Sequence, residues 1–534
     1  ALRRGDLISA MIHEANKTFA EADVEVSEAV DFARWYGDRA TELDDHPNLR
    51  FEPLGVVAVV PPWNFPVAIP AGGVLASLAA GNTVILKPAP ETPRCAEIVA
   101  EACWAAGVPT DVVAYLRTPD SDVGRRLVVK ADAVVLTGST DTADLFRSWK
   151  PDLRLFAETS GKNAMIITPH ADIDLAVADL VRSAFGHSGQ KCSAASLAVL
   201  VGDVYESPRF RRQLIDAVNS IEVGPSTAIS TTMGPLIAET PNERLARGFS
   251  SLDPGESWLV EPREFQPGLW SPGVRDGVAP GSWFATNECF GPVLGLVPAT
   301  DLDDALEIVN SSKFGLTGGI HSLDPEEVNR WTERVEVGNG YVNRHITGAI
   351  VQRQPFGGWK RSSVGPGAKA GGVNYVAQLG QWIVETDDGT DDYVDAWRAH
   401  FSVEHDDTGL FCESNTFRYR PLAAVALRIG ATARPADIER VRAAARVAGV
   451  RLVESHHGSE SQEQFAARLG SLGVERVRVV GEAPSDEMRT EANRSGVHLA
   501  CGPVTGVGRI ELQNYVREQS ISRTLHRFGN LVQI

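Results

Sequence analysis

The chain has 534 residues, 22% of them charged and 43% apolar, with a net charge of −18. The length allows about three to four domains, and the composition is that of an ordinary globular protein. The acidic balance argues against nucleic acid, which needs clustered Lys and Arg, and no apolar run approaches the ~20 residues that span a bilayer.

Taken in chain order, residues 6–40 place Leu7, Met11, Phe19, Val30, Phe32 and Trp35 at helical spacing. Leu54–Val60 is β-branched and stops at Pro61-Pro62, which predicts a buried strand entering a loop. Small apolar residues over 66–80 suit a tightly packed helix. Thr83–Leu86, Val112–Leu116 and Ala133–Leu136 read as strands, with helices over 94–106 and 141–149. Strands alternating with helices predict an α/β fold with a parallel sheet and crossovers. The acidic, turn-rich run from Glu385 to Asp392 reads as the start of a linker. Residues 420–505 repeat the alternation, with strands over 422–429, 450–454, 476–480 and 497–500 and helices over 435–448, 461–469 and 485–494. Arg509–Leu512 is expected to add an edge strand. There is no signal peptide, and the cysteines at 95, 103, 192, 289, 412 and 501 have neither zinc-site nor disulfide-framework spacing. No metal is expected, and a reducing cytoplasm fits.

Cys192 stands out. It ends the Gly-rich stretch Phe185-Gly186-His187-Ser188-Gly189-Gln190-Lys191 and precedes an apolar run. A buried structural cysteine packs as a small hydrophobe. A nucleophilic one needs a tight turn that exposes sulfur to substrate and to nearby N–H groups. Three other segments accompany it: Pro62-Trp63-Asn64-Phe65-Pro66, Glu158-Thr159-Ser160-Gly161-Lys162-Asn163 and Glu288-Cys289-Phe290-Gly291-Pro292. In this order and spacing they resemble the aldehyde dehydrogenase superfamily, from residue 1 to about residue 385.

The resemblance implies that family's fold, a Rossmann-like cofactor domain with an α/β catalytic domain. It implies that Cys192 attacks an aldehyde as thiolate. Asn64, with the Cys192 N–H, would hold the oxyanion. Glu158 would be the base that activates water against the resulting thioester. Ser160 stands where the family usually has Gly, which puts the local backbone freedom in question. Without the resemblance, Asn64 could be a turn residue between prolines and Glu158 an exposed strand-end acid.

The fingerprint GxGxxG is absent at the strand-to-helix junctions, but the family uses another mode. Gly138 and Ser139 match its pyrophosphate-binding pair at a helix start, where free N–H groups favour an anion; alone they read as a turn and N-cap. Glu288 matches the residue on the nicotinamide ribose, with Phe290 and Trp63 beside the nicotinamide and Lys87 on the adenine ribose. NAD is implied. Many NAD-selective members have Glu three positions after that lysine. Here it is Pro90, so NADP stays open.

The run Thr347-Gly348-Ala349-Ile350-Val351-Gln352-Arg353-Gln354-Pro355-Phe356-Gly357-Gly358 resembles the branch acting on L-glutamate γ-semialdehyde. There Gly348, Ala349 and Ser193 would hold the α-carboxylate, with Phe65 and Phe356 flanking the aliphatic chain. Another semialdehyde, such as succinate semialdehyde, or a non-catalytic relative of the same fold are the rival readings. Residues 413–421 and 517–522 resemble the C-terminal extension of bifunctional proline-utilisation proteins. The expected organisation is therefore a cofactor domain over 1–162, a catalytic domain over 163–385, a linker over 386–410, and a degenerate aldehyde-dehydrogenase-like domain with its tail over 411–534. Because the chain opens without Met, in a segment that is already helical, a longer parent chain is expected. FAD enters only if a proline dehydrogenase is fused upstream. A homo-oligomer is also expected.

Overall fold

The computed structural model describes residues 2–46, 48–118, 121–387, 389–527 and 530–531. The expected outer bounds at Ala1 and Ile534, and Asp388 of the expected linker, lie outside the described residues. The helical stretch expected over 6–40 is two helices, α1 (Arg4–Glu14) and α2 (Phe19–Thr41). The break lies at Asn16, whose φ of 54° no right-handed helix accommodates. Thr18 precedes α2, and its N–H donates to Glu21 Oε2 at 3.4 Å.

Helix α3 (Ala68–Ala79) carries Gly72 and Gly73 at its centre because it is wedged there. A Cβ on Gly73 would stand 2.8 Å from Val59, and one on Gly72 would stand 3.2 Å from Phe32. Side chains there would push α3 off the sheet on one face and off α2 on the other. The sheet beneath has six strands, in the order Ser363–Val364, Arg154–Glu158, Ala133–Thr137, Val56–Val60, Thr83–Leu86, Val113–Tyr115. All its pairs are parallel except that of Ser363–Val364.

The chain changes sheets between Glu158 and Asn163. A nine-stranded sheet follows, in the order Glu413–Pro421, Val516–Thr524, Asn339–Val342, Thr317–His321, Asn163–Ile167, Ala195–Val201, Val293–Ala299, Gly273–Asp276, Ser257–Val260. Its first two strands come from beyond residue 411, so the C-terminal region is woven into the sheet that carries Cys192. Leu49–Pro53 pairs with Gly380–Val384.

Two expectations need correcting. Arg509–Leu512 is helical, not a strand, within Gly508–Glu511 and the turn Leu512–Tyr515. The added strand is Val516–Thr524, whose buried residues include Gln519, Ser520 and Ser522. Hydropathy hides such a strand, because its buried side chains are polar and satisfied. Gln519 donates to the Val337 carbonyl at 2.9 Å and Ser520 to that of Pro355 at 2.8 Å. Within the expected linker, Tyr393–Ala396 and Trp397–Phe401 are helical, and buried Tyr393 donates its hydroxyl to the Thr505 carbonyl at 2.5 Å.

The remaining C-terminal strands form a separate parallel sheet, in the order Arg451–His456, Ala424–Ile429, Arg476–Val480, His498–Ala500. These elements lie close to where hydrophobic periodicity puts them. No helix among the described residues is long and apolar enough to cross a membrane.

Candidate active site

The helix Ile173–Phe185 ends in an unusual turn. His187, Ser188 and Gly189 take left-handed φ of 52°, 54° and 66° in succession. Two non-glycine residues in that region cost of order 1–3 kcal/mol each, so their surroundings must over-determine them. Ser188 donates to the Gly234 carbonyl at 2.5 Å, and His187 is buried. At Gly189 a Cβ would stand 2.3 Å from the Gly291 carbonyl, so glycine alone permits this approach. The turn delivers Cys192 to a cavity of about 630 Å³, a volume ordinary for small-molecule sites.

Cys192, Glu158 and Asn64 all line that cavity. So do Gly138, Ser139, Glu288, Phe290 and Trp63, and so do Ser193, Gly348, Ala349, Phe65 and Phe356. Residues from six separate segments and both sheets thus meet in one space. Lys87 is the nominated residue outside this lining. It lies buried just past strand Thr83–Leu86, its backbone N–H donating to the Val59 carbonyl at 2.9 Å.

Burial pushes the Cys192 thiol up to about 12, and the Glu288 and Glu158 carboxylates add to that, while the Ser193 and Cys192 N–H groups oppose it. The cysteine backbone is held by Asn163, whose Nδ2 donates to the Cys192 carbonyl at 2.7 Å and to that of Ala194 at 2.9 Å. Asn64 is 3% exposed, and its Nδ2 donates to the Gln190 carbonyl at 3.0 Å. The Asn64 amide is therefore tied to the loop that carries Cys192.

Glu158 ends its strand with Oε2 accepting from the Gly358 N–H at 2.8 Å. A Cβ on Gly357 would stand 2.9 Å from Oε1, so the Gly357-Gly358 pair makes room for the carboxylate. Burial lifts the Glu158 carboxyl to about 8, against the opposing pull of the Lys369 ammonium, the Gly358 N–H and Ser363. A base with that proton affinity suits chemistry near neutral pH. Ser160 is buried, and its carbonyl accepts from Ser362 Oγ at 2.7 Å.

Glu288 accepts from the Gly161 N–H at 3.0 Å, and burial raises its carboxyl. Trp63 and Phe290 meet edge to face, with ring centroids 5.7 Å apart and Phe290 at φ 58°. Ser139 caps helix Thr140–Trp149, its Oγ accepting from the Thr142 N–H at 3.0 Å. That helix opens its positive end onto the cavity. So does helix Glu243–Ser250, through Asn242, Glu243 and Arg244. Two helix N-termini, a buried carboxylate and an aromatic wall are the donors and surfaces that a dinucleotide needs.

At the other end, Gly348 has φ 83°, a conformation glycine adopts freely. Its loop is bolted to the C-terminal strands. Arg344 donates to Ser522 Oγ at 2.7 Å, and Gln354 Nε2 donates to Asn415 Oδ1 at 2.9 Å and Ser522 Oγ at 3.0 Å. The sequence reading missed Glu28 of α2, which also lines this cavity and whose carboxyl burial lifts to about 8. An acid three residues after Glu25 and four before Phe32, on the buried face of α2, was the available signal. Asn163 closes the Glu158–Asn163 segment, but nothing in that segment assigned it a role before its partners were known.

Comparison with known proteins agrees with this geometry. Residues 1–381 match the description "Aldehyde dehydrogenase family". A protein named 1-pyrroline-5-carboxylate dehydrogenase from Geobacillus sp. (strain WCH70) is 36% identical over 397 residues, 70% of this chain and 76% of that protein. The solved structure of 1-pyrroline-5-carboxylate dehydrogenase from Thermus with bound NAD is 32% identical with a TM-score of 0.66, over 71% of this chain and 77% of that one. The structure of proline utilization A from Corynebacterium freiburgense is 52% identical with a TM-score of 0.92. That match takes in 99% of this chain, including the C-terminal sheet, while this chain spans 56% of the other. In fold and in sequence, this chain belongs to the aldehyde dehydrogenase family.

Proposed function

We propose that the protein oxidises L-glutamate γ-semialdehyde to L-glutamate with NAD, through a covalent intermediate on Cys192. The observation that carries this reading is the convergence of Cys192, Glu158 and Asn64 with Ser193, Gly348 and Ala349 on one cavity. The names of the Geobacillus and Thermus relatives support the substrate. The thiolate of Cys192 adds to the aldehyde carbon, and the Asn64 amide and Cys192 N–H stabilise the oxyanion. Gly138, Ser139, Glu288, Phe290 and Trp63 would hold NAD, with Lys87 at the adenosine end, and the bound cofactor supplies the hydride acceptor. Oxidation leaves a thioester on Cys192. Glu158 takes a proton from water, which attacks that thioester and releases glutamate and the free thiol.

Ser193 and the Gly348 and Ala349 N–H groups receive the α-carboxylate. Phe65 and Phe356 flank the aliphatic chain. Glu28 lines the same cavity, and an ammonium on the substrate would favour the ionised form that burial disfavours, which weighs against succinate semialdehyde. Oxidation of proline by a flavin-bearing proline dehydrogenase, fused upstream or separate, would supply the substrate. The match to proline utilization A supports that placing. A cytoplasmic homo-oligomer belongs to the same reading, as does a C-terminal unit over 411–534 that binds no nucleotide.

The test compares kcat/KM for glutamate γ-semialdehyde, succinate semialdehyde and butyraldehyde at low and high salt. Charge-assisted bonds are worth roughly 1.5–3 kcal/mol each, so losing two costs butyraldehyde ~10²–10⁴-fold. Short buried bonds keep that ratio as salt rises, whereas long-range steering by Arg353 would not. Equal values for the three aldehydes would remove the substrate assignment and leave the family unaffected.

A further inference from the structure

The residues behind the catalytic loops belong to the turn and first coils of α2, which the chemistry above does not use. Lys17 is 1% exposed. Its Nζ donates to the Asn64 backbone carbonyl at 2.7 Å and lies over the Phe65 ring, 4.2 Å from the centroid. The same ammonium is 3.0 Å from Glu25 Oε2, in an ion pair whose two side chains are each 1% exposed. The other Glu25 oxygen, Oε1, accepts from the Val67 N–H at 2.8 Å and the Ala68 N–H at 3.1 Å. One buried pair thus grips both ends of the segment 64–68. It holds the carbonyl of Asn64 at one end and the N–H groups that open α3 at the other.

Glu21, one helical turn before Glu25, reaches the second loop. Its carboxylate is 3.2 Å from Lys191 Nζ and 3.9 Å from His187 Nδ1. Lys191 immediately precedes Cys192, and His187 begins the left-handed turn. The side chain of Asn64 closes the circuit by donating to the Gln190 carbonyl. Lys17, Glu21 and Glu25 therefore fasten the Asn64 segment and the Cys192 segment to one helix end. Desolvating a lysine and two carboxylates is costly unless each is well paired. A structural anchor alone would be served by apolar packing, as elsewhere along α2. A cation fixed on the Asn64 carbonyl also sets the peptide plane, and hence where the Asn64 amide points.

We infer that Lys17, paired with Glu25, is a positioning residue that aims the Asn64 amide at the oxyanion formed on Cys192. This rests on the reading of Asn64 and Cys192 given above. A misplacement of about 1 Å at such a donor can cost ~10²-fold in rate. Lys17→Met is expected to lower kcat by about that factor, with KM for NAD within about twofold, because the partners of Lys17 are the Asn64 carbonyl, the Phe65 ring and Glu25, none of them assigned to the cofactor. Lys17→Arg, which keeps the cation, is expected to recover part of the loss.

The deciding measurement is a double-mutant cycle in the full chain, using Lys17→Met, Asn64→Ala and both together. If Lys17 acts through Asn64, adding Lys17→Met to Asn64→Ala costs little more. Losses that multiply would overturn the inference, and so would a Lys17→Met enzyme with unchanged kcat. An Asn64→Ala enzyme with wild-type turnover would instead overturn the oxyanion reading itself. If Lys17→Met does not fold, as judged by circular dichroism, Glu25→Gln takes its place. It keeps an oxygen for Val67 and Ala68 but removes the partner charge of Lys17. Its loss in kcat must show the same non-additivity with Asn64→Ala, and a multiplicative result overturns the inference equally.

Discussion

Two parallel α/β sheets in this molecule invite comparison, because one opens onto a cavity and the other does not. In the six-stranded sheet, strand Ala133–Thr137 runs out into Gly138 and Ser139, and Val135, Thr137 and both of those residues line the cavity that also holds Cys192. Parallel sheets bind ligands at such carboxyl ends. In the C-terminal four-stranded sheet the equivalent edge is filled by the chain itself. A Cβ on Gly430, just past strand Ala424–Ile429, would stand 2.4 Å from Glu482. Gly481, just past strand Arg476–Val480, faces the Ala433 backbone nitrogen at 2.1 Å on the same measure. The Gly430 N–H donates to the Val480 carbonyl at 2.8 Å and the Thr432 N–H to that of Gly481 at 3.1 Å. The two loops that would flank a ligand bond to each other instead.

The charges follow suit. Arg478 and Glu511 form an ion pair 2.9 Å apart with each side chain 1% exposed, and Arg428 pairs with Glu482 at 2.6 Å. Around Cys192, by contrast, Glu158, Glu288 and Glu28 line an open cavity. Architecture alone therefore does not make a site. What separates the two sheets is whether the loops at the strand ends leave their N–H groups and carboxylates to a ligand or spend them on one another.

The sharpest break in this comparison is Cys192→Ala. It should lower aldehyde oxidation by roughly 10⁴-fold or more while the cofactor still binds. Steady-state absorbance of reduced cofactor measures the first, and calorimetric titration with NAD the second. Activity within tenfold of the unmodified enzyme would rule out the covalent route.

Arg478→Leu attacks the other sheet. Breaking a buried pair leaves Glu511 uncompensated, at a cost of about 3–5 kcal/mol. Urea unfolding should register that loss, with kcat per folded molecule nearly unchanged. A fall in kcat without a fall in stability would show that the closed sheet takes part in the chemistry.

Asn64→Ala should cost ~10²–10³ in turnover, the size of one lost oxyanion donor.

Glu158→Gln should give one burst of reduced cofactor and then stall at the thioester. In the unmodified enzyme, Glu158 must be ionised to take a proton from water. With its carboxyl lifted to about 8, hydrolysis should rise as pH increases through that value and fall away below it. Single-turnover hydrolysis of the acyl-enzyme that stays flat across that range would exclude Glu158 as the base.

The smallest expected effect is electrostatic. Glu288→Gln removes one of the two carboxylates that raise the Cys192 thiol, so the thiol pKa should fall. The pH profile of iodoacetamide alkylation reads this directly, and an unchanged profile would mean that Glu288 does not act on the thiol.

Resemblance to a known family nominated the candidate site residues, and periodicity by itself reached most of the regular elements. The alternation of β-branched runs and amphipathic stretches has physical content at short range, since it reports which face of each segment must leave water. Cys192, Glu158, Asn64 and Glu288 were nominated through the segments that resemble the aldehyde dehydrogenase family, and the fold brings all four to one cavity. The tertiary structure alone decided what happens where polar groups are buried against distant partners. Strand Val516–Thr524 hid behind Gln519, Ser520 and Ser522, and the helix at 508–511 took the place of an expected strand. Glu28, Asn163 and Lys17 gained their settings only when the fold placed a cavity, a cysteine carbonyl and an asparagine carbonyl against them. A polar side chain carries no mark in sequence of whether water or a remote backbone group will satisfy it. That choice is made by long-range packing, after the local pattern has been spent.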